Sequence, residues 1–219
     1  VATRTIRWRF EIANIVGQQV QTLIHPETGE TVLIVPLSSK GNAAVTDIMT
    51  DTLAYVAALN TDGELLWYRQ VGNVFEPATA FYADWNDDGC TDIYLQQYCD
   101  VCSLDRDKED GAGVRILDAA GRALDSVVID STHLASWNTS VDLDNDSDPE
   151  FICRTSDGRL QIYDHKLNLL RAVKLPARVV GPMPVHDLTG TGARHLVVST
   201  EDGSMWVLDS QLEVVAYLE

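Results

Sequence analysis

Two stretches of the chain superpose without a gap and limit the possible folds more than anything else in it. DLDNDSDPEFICRTSDGRLQIYDHKLNLL, beginning at Asp142, lies over DLTGTGARHLVVSTEDGSMWVLDSQLEVV, beginning at Asp187, 45 positions further on. Asp142 meets Asp187, Asp157-Gly158 meets Asp202-Gly203, Asp164 meets Asp209 and Leu167 meets Leu212. The residues that coincide are turn residues, and a fixed period of about 20 to 50 residues marks stacked copies of one supersecondary unit.

Each copy reads as four short strands. The second, Glu150 to Arg154 or Arg194 to Ser199, is apolar and β-branched, a Ser-Asp-Gly or Glu-Asp-Gly turn follows, and two more strands complete the unit. No helical period is present. The same pattern read backwards gives four units, at about 18–71, 75–130, 134–175 and 179–218, within one domain spanning 1–219. Four-stranded antiparallel units of this length suit the blades of a β-propeller, and the fold class is therefore all-β. A β-sandwich is the alternative, but sandwiches do not repeat at a fixed period. Arg4 to Phe10, RTIRWRF, reads as one extra N-terminal strand resembling the LLWYRQV that ends the first unit. It closes a preceding blade on this reading, so the chain is expected to be an arc of a larger propeller. Another chain or further sequence would complete the ring.

Between the first and second strands of the second unit stands DWNDDGCTD, four carboxylates and an amide within nine residues. Asp84, Asn86 and Asp88 fall at positions 1, 3 and 5, Gly89 at 6, Cys90 at 7 and Asp92 at 9. The third unit places Asp142, Asp144, Asp146, Asp148 and Glu150 at positions 1, 3, 5, 7 and 9. Calcium takes about six to eight oxygen ligands, and a tight loop offering alternate side-chain oxygens with one carbonyl at position 7 supplies them. Two calcium sites are expected. The loop Asp187–His195 keeps one carboxylate and has threonines at positions 3 and 5, so it is expected to keep the turn without a metal. The first unit has only HPETGE at that place. Acidic turns also occur as solvated Asx-rich loops, but two in one register favour a metal.

The spacing D-x-[DN]-x-D-x-x-x-[DE] running into an apolar strand resembles the calcium loops of FG-GAP repeats in integrin α-subunit propellers and related bacterial repeat proteins. It lacks the glutamate at position 12 and the flanking helices of an EF-hand; Leu95 and Cys153 stand there instead. The resemblance departs at Ser147, where the loop glycine is expected, and in the absence of Phe-Gly and Gly-Ala-Pro signatures. It implies a calcium-binding, extracellular or periplasmic adhesion or sensor module. Binding at about 10⁻⁴ to 10⁻³ M, usual for extracellular modules, points to the same compartments.

Lysine and arginine total 16 against 33 aspartate and glutamate, for a net charge of −17, which argues against a nucleic-acid partner. No apolar run approaches the roughly 18 residues of a membrane span, and no signal-like segment opens the chain. Cys99 to Cys102, CDVC, reads as a local disulfide or two thiols, and Cys153 as a buried thiol. Cys90 and Cys99 fall at opposite ends of one strand and are not expected to pair. Trp8, Trp67 and Trp206 are placed on strands as core, Trp85 in an acidic loop and Trp137 before a first strand.

His25, His165 and His195 fall on turns, His186 precedes an acidic loop and His133 lies between units. No nucleophile elbow or phosphate loop is present, so no catalytic residue is assigned and the chain is read as a non-enzyme. Both long insertions, 38–51 and 98–113, fall in second-to-third connections and so on the face opposite the acidic loops. A protein or glycan ligand is expected there. The alternative is a polysaccharide-processing enzyme, since similar calcium propellers occur among lyases.

Overall fold

The computed structural model describes residues 6–72, 78–97, 112–130, 139–155 and 158–219, and among these there is no helix. The chain divides into two compact units, Val1–Ile129 and Asp130–Glu219. Each unit holds two antiparallel sheets built in chain order.

In the first unit, β1 (Ile15–Val16) and β2 (Gln21–Ile24) both pair with β3 (Thr31–Ser38), which pairs with β4 (Ala54–Asn60) and then β5 (Leu65–Gly72). The second sheet runs β6 (Ala80–Ala83), β7 (Asp92–Gln97), β8 (Ala112–Leu117), β9 (Ala123–Asp130). The second unit holds β10 (Thr139–Val141), β11 (Glu150–Arg154), β12 (Arg159–Tyr163) and β13 (Leu169–Lys174). In its other sheet, β14 (Val179–Val180) and β15 (Val185–His186) share β16 (His195–Thr200), followed by β17 (Met205–Asp209) and β18 (Val214–Leu218). The first sheet therefore starts at Ile15, ahead of the expected 18, because Ile15–Val16 pairs with Leu37–Ser38 while Gln21–Ile24 pairs with Thr31–Ile34. The expected starts at 75 and 134 lie outside the described residues, as do CDVC, His133, Trp137 and nearly all of the second insertion.

One hairpin recurs. In Asn60–Glu64, Asp118–Arg122, Asp164–Asn168, Thr200–Ser204 and Asp209–Glu213 the first residue's N–H donates to the fifth carbonyl, and the fourth N–H to the first. The fourth residue is left-handed in each: Gly63, Gly121, Leu167, Gly203 and Leu212. This is a three-residue hairpin closed by a bulge, and the ladders slip by one residue beside it, at Ala58/Leu59, Ile162/Tyr163 and Val207/Leu208. Leucine adopts that backbone at a cost of about 1–2 kcal/mol. Leu167 and Leu212 accept it because each buries its side chain, leaving 5% exposed.

The sheets stack face to face. Ile34, Val56 and Ala58 of the first sheet share one core with Ile93 and Leu95 of the second. Ile152, Leu160 and Ile162 share another with Leu196, Val198 and Leu208. Burying each such side chain contributes on the order of 1.5–3 kcal/mol. The opposite face of the first sheet, with Leu37, Tyr55 and Ala57, is covered by Phe10, Ile12 and Ala13 and by Ala44, Met49 and Leu53. The insertion supplying Ala44 and Met49 is pinned by Asp51, whose fully buried carboxylate accepts N–H bonds from Lys40 and Asn42, both at 2.8 Å.

The expected strand at Arg4–Phe10 is corrected for its described part: Ile6–Phe10 lies in no strand. A strand needs a neighbour's N–H and C=O groups, and none runs beside this segment among the described residues. Trp8 is instead docked on the β4–β5 turn, its indole N–H donating to Thr61 O at 2.9 Å. A Cβ on Gly63 would stand 2.4 Å from the Trp8 ring. Trp67 sits on the β8–β9 turn in the same way: its N–H donates to Ala119 O at 3.0 Å, and a Cβ on Gly121 would stand 2.8 Å from its ring. Both glycines are needed because the ring lies on the backbone itself.

Candidate functional site

Three loops join a first strand to a second with the same backbone. Positions 4 and 6 are left-handed in all of them: Asp87 and Gly89, Asn145 and Ser147, Gly190 and Gly192. Those two turns point the N–H groups inward, and the position-1 carboxylate collects them. Asp84 accepts from Asp88 (3.1 Å) and Gly89 (2.8 Å), and Asp142 from Asn145 (2.7 Å) and Ser147 (3.2 Å). Asp187 accepts from the N–H groups of Thr189, Gly190, Thr191 and Gly192 at 2.6–3.3 Å and from the Thr189 hydroxyl at 3.2 Å.

Position 9 closes the loop from the core side. Asp92, 1% exposed, accepts Trp85 N–H at 2.9 Å, and Glu150, 4% exposed, accepts Leu143 N–H at 2.6 Å. Burial, above all, pushes the Asp92 carboxyl up to about 6 and that of Glu150 to about 7. The neighbouring carboxylates, Asp88 and Asp84 in one loop and Asp144, Asp146 and Asp142 in the other, push the same way. Negative charge is thus concentrated beyond what these loops' own N–H groups neutralise.

In the loop between β10 and β11, oxygens of Asp142, Asp144 and Asp146 all lie within 4.8 Å of one another. Oxygens on opposite sides of one calcium ion stand about 5 Å apart, twice a Ca–O distance. The set is therefore of a size that one ion spans. Asp146 also accepts Asp148 N–H at 2.9 Å, and Asp148 faces His165 Nδ1 at 3.6 Å. In the loop between β6 and β7, the Asn86 amide donates to Asp88 Oδ2 at 2.8 Å, and Asp88 accepts Cys90 N–H at 2.8 Å. The Cys90 amide bond, then the Asn86 amide, holds Asp88 below the ordinary carboxylate range. Trp85 flanks this loop with its ring edge-on to Tyr94, centroids 6.1 Å apart.

The fourth sheet's loop has no second carboxylate. Thr189 and Thr191 hydroxyls bond each other at 2.7 Å, and His195, 5% exposed, occupies position 9 with no hydrogen bond to its Nδ1. Led by Gly192, the donors hold Asp187 down to about 2. All ten expected site residues fall in the first two loops. His165 lies outside that set and reaches Asp148 from the turn between β12 and β13, two strands further along the chain.

Among the other residues read from sequence, the Cys153 thiol is buried and donates to Gln161 Oε1 at 3.7 Å. Trp67 and Trp206 lie on β5 and β17 as read, whereas Trp8 does not.

No protein-family model matches the chain, and no curated protein does. Similarity is to solved structures. A rhamnogalacturonan lyase PL11 of Bacillus licheniformis aligns over 90% of this chain and 41% of its own, at 16% identity and a TM-score of 0.61. The rhamnogalacturonan lyase YesW aligns over 91% and 48%, at 13% identity and 0.57. BBS1N, solved in complex with ARL6DN, aligns over 91% and 50%, at 13% identity and 0.53. The chain thus spans half or less of the length of these structures, and the likeness is one of fold, β-propeller-like and all-β.

Proposed function

We propose that this chain is a calcium-stabilised arc of a β-propeller, exposed outside the cytosol, that binds a protein or glycan and has no catalytic activity of its own. Asp84, Asn86, Asp88, the Cys90 carbonyl and Asp92 hold one ion. Asp142, Asp144, Asp146, Asp148 and Glu150 hold the other. The observation that carries the metal is the Asp142–Asp144–Asp146 oxygen set above buried Glu150. A divalent cation there turns mutual repulsion into attraction and fixes the turn between two strands, so its part is structural. The arc is supported by face-to-face stacking within each unit and by Trp8, which takes on the first sheet's turn the seat that Trp67 takes on the second's. The likeness to FG-GAP repeats rests on the loop spacing. Titration calorimetry of the metal-stripped chain should count two calcium ions. Absence of binding at millimolar calcium removes the reading.

The second reading, a polysaccharide-processing enzyme, is favoured by the two lyase structures. Its test is release of unsaturated product from rhamnogalacturonan and other uronides. Turnover that survives repurification would replace the non-enzymatic reading. The charge of −17 opposes a polyanionic substrate.

A further inference from the structure

We propose that His186, His195 and Asp209 form a binding site for a divalent transition ion of the zinc class, separate from the two acidic loops. The strand register puts the three in one row. His186 on β15 pairs with His195 on β16, and His195 pairs with Asp209 on β17. Directly opposed residues of antiparallel strands carry their side chains on the same face, with Cβ atoms about 4.5–5.5 Å apart. That face is opposite the one on which Leu196 and Leu208 are buried against the β10–β13 sheet. Two imidazoles and a carboxylate therefore stand side by side at one end of the β14–β18 sheet.

Each donor has capacity to spare. His195 is 5% exposed, and its buried Nδ1 has no hydrogen-bond partner. A carboxylate at this place in the other two loops accepts a backbone N–H, from Trp85 or from Leu143, and the imidazole makes no such bond. Leaving a buried polar atom unpaired is costly, and a metal ion is a partner that takes a nitrogen lone pair. His186 is exposed, and its imidazole enters no hydrogen bond or ion pair among the described residues. Asp209 spends Oδ1 on the N–H groups of Gln211 and Glu213, at 2.8 and 2.9 Å, which leaves Oδ2. As they stand the donors are not gathered: among the described residues only Asp142, Asp144 and Asp146 bring three within 4.8 Å of one another. Closing the row takes rotation about side-chain bonds, and the exposed His186 ring is free to make it.

The donor set selects the ion. Neutral imidazole suits zinc, copper and nickel, whereas calcium and magnesium take oxygen. Three protein ligands leave the fourth position of a zinc ion to water. An ion held here ties β15, only two residues long, to the two strands beside it. The net charge of −17 draws a cation to the surface.

Equilibrium dialysis of the intact chain against zinc, after metal stripping and in saturating calcium, tests this. Compared with the wild type, His186→Ala should hold one zinc ion at least tenfold more weakly, with circular dichroism unchanged because the residue is exposed. Asp209→Asn, which keeps an acceptor for the turn and removes the anion, should weaken the same ion at least tenfold. In the wild type, zinc should shift the ring protons of His186 and His195 together in NMR spectra. A wild type that binds no zinc in calcium overturns the proposal. So does zinc binding indifferent to His186→Ala, which would place the ion elsewhere, or indifferent to Asp209→Asn, and so do unmoved His195 resonances. The ion lost on His186→Ala is counted whether or not the acidic loops bind calcium, so the two readings fail separately.

Discussion

The Asp142–Glu150 and Asp187–His195 loops share a backbone and differ in how they hold charge. In the second, one carboxylate is met by four backbone N–H groups and a hydroxyl, and its pKa falls to about 2. In the first, the same turn gathers five carboxylates, and the buried one rises to about 7. A loop whose backbone already saturates its anion needs no ion. A loop that stacks anions over a buried carboxyl stores a repulsion which a cation relieves. The backbone is therefore the constant of the repeat, and the side chains at positions 3, 5, 7 and 9 decide whether it becomes a metal site.

Substitution at equivalent places breaks the comparison most strongly. Asp146→Ala should remove one calcium ion and, with it, about 2.7 kcal/mol of stabilisation when calcium stands at about 100 times the dissociation constant. Asp187→Ala should leave the calcium count unchanged and lower the melting temperature equally in calcium and in chelator, since it strips acceptors from N–H groups. Calorimetry and thermal melts of both variants check this. Loss of an ion from Asp187→Ala would show that the two loops are not different in kind.

A pH series sharpens it. Asp92 and Glu150 have folded pKa values above the ordinary 3.8 and 4.5, at about 6 and about 7. Between the ordinary and raised values the folded chain binds more protons than the unfolded one, so these groups make stability fall as pH rises from about 4 to about 7. The decline should appear in chelator and shrink in calcium, whose binding should release protons near pH 6. Melts in two buffers of different ionisation enthalpy, with calorimetry, measure both. The smallest expected effect is at position 6, where Ser147 stands at φ +83° in the place of Gly89 and Gly192. Ser147→Gly should stabilise the chain by about 1 kcal/mol in either condition, as urea melts would read.

Much of this was legible before the fold was known, because turns make local demands. The recurring Asp-Gly pairs and the alternating acids announce their geometry in a few residues. Other features were not. The split first strands, such as Ile15–Val16 beside Gln21–Ile24, are too short to show a period. Arg4–Phe10 has the composition of a strand, but pairing depends on a neighbour, and Trp8 found a turn instead. Asp92 and Glu150 read as two ligands among ten. Their burial, which sets their pKa, comes from the sheets around them. His165 meets Asp148 only because β11 and β12 fold back between them.

The central claim is that the two acidic loops are calcium sites. Its most direct test is the melting temperature of the unmodified chain, stripped of metal and scanned in chelator and in millimolar calcium at pH 7.5. A marked rise in calcium, absent with magnesium at the same ionic strength, is the predicted result. Identical melting in chelator and calcium would contradict it.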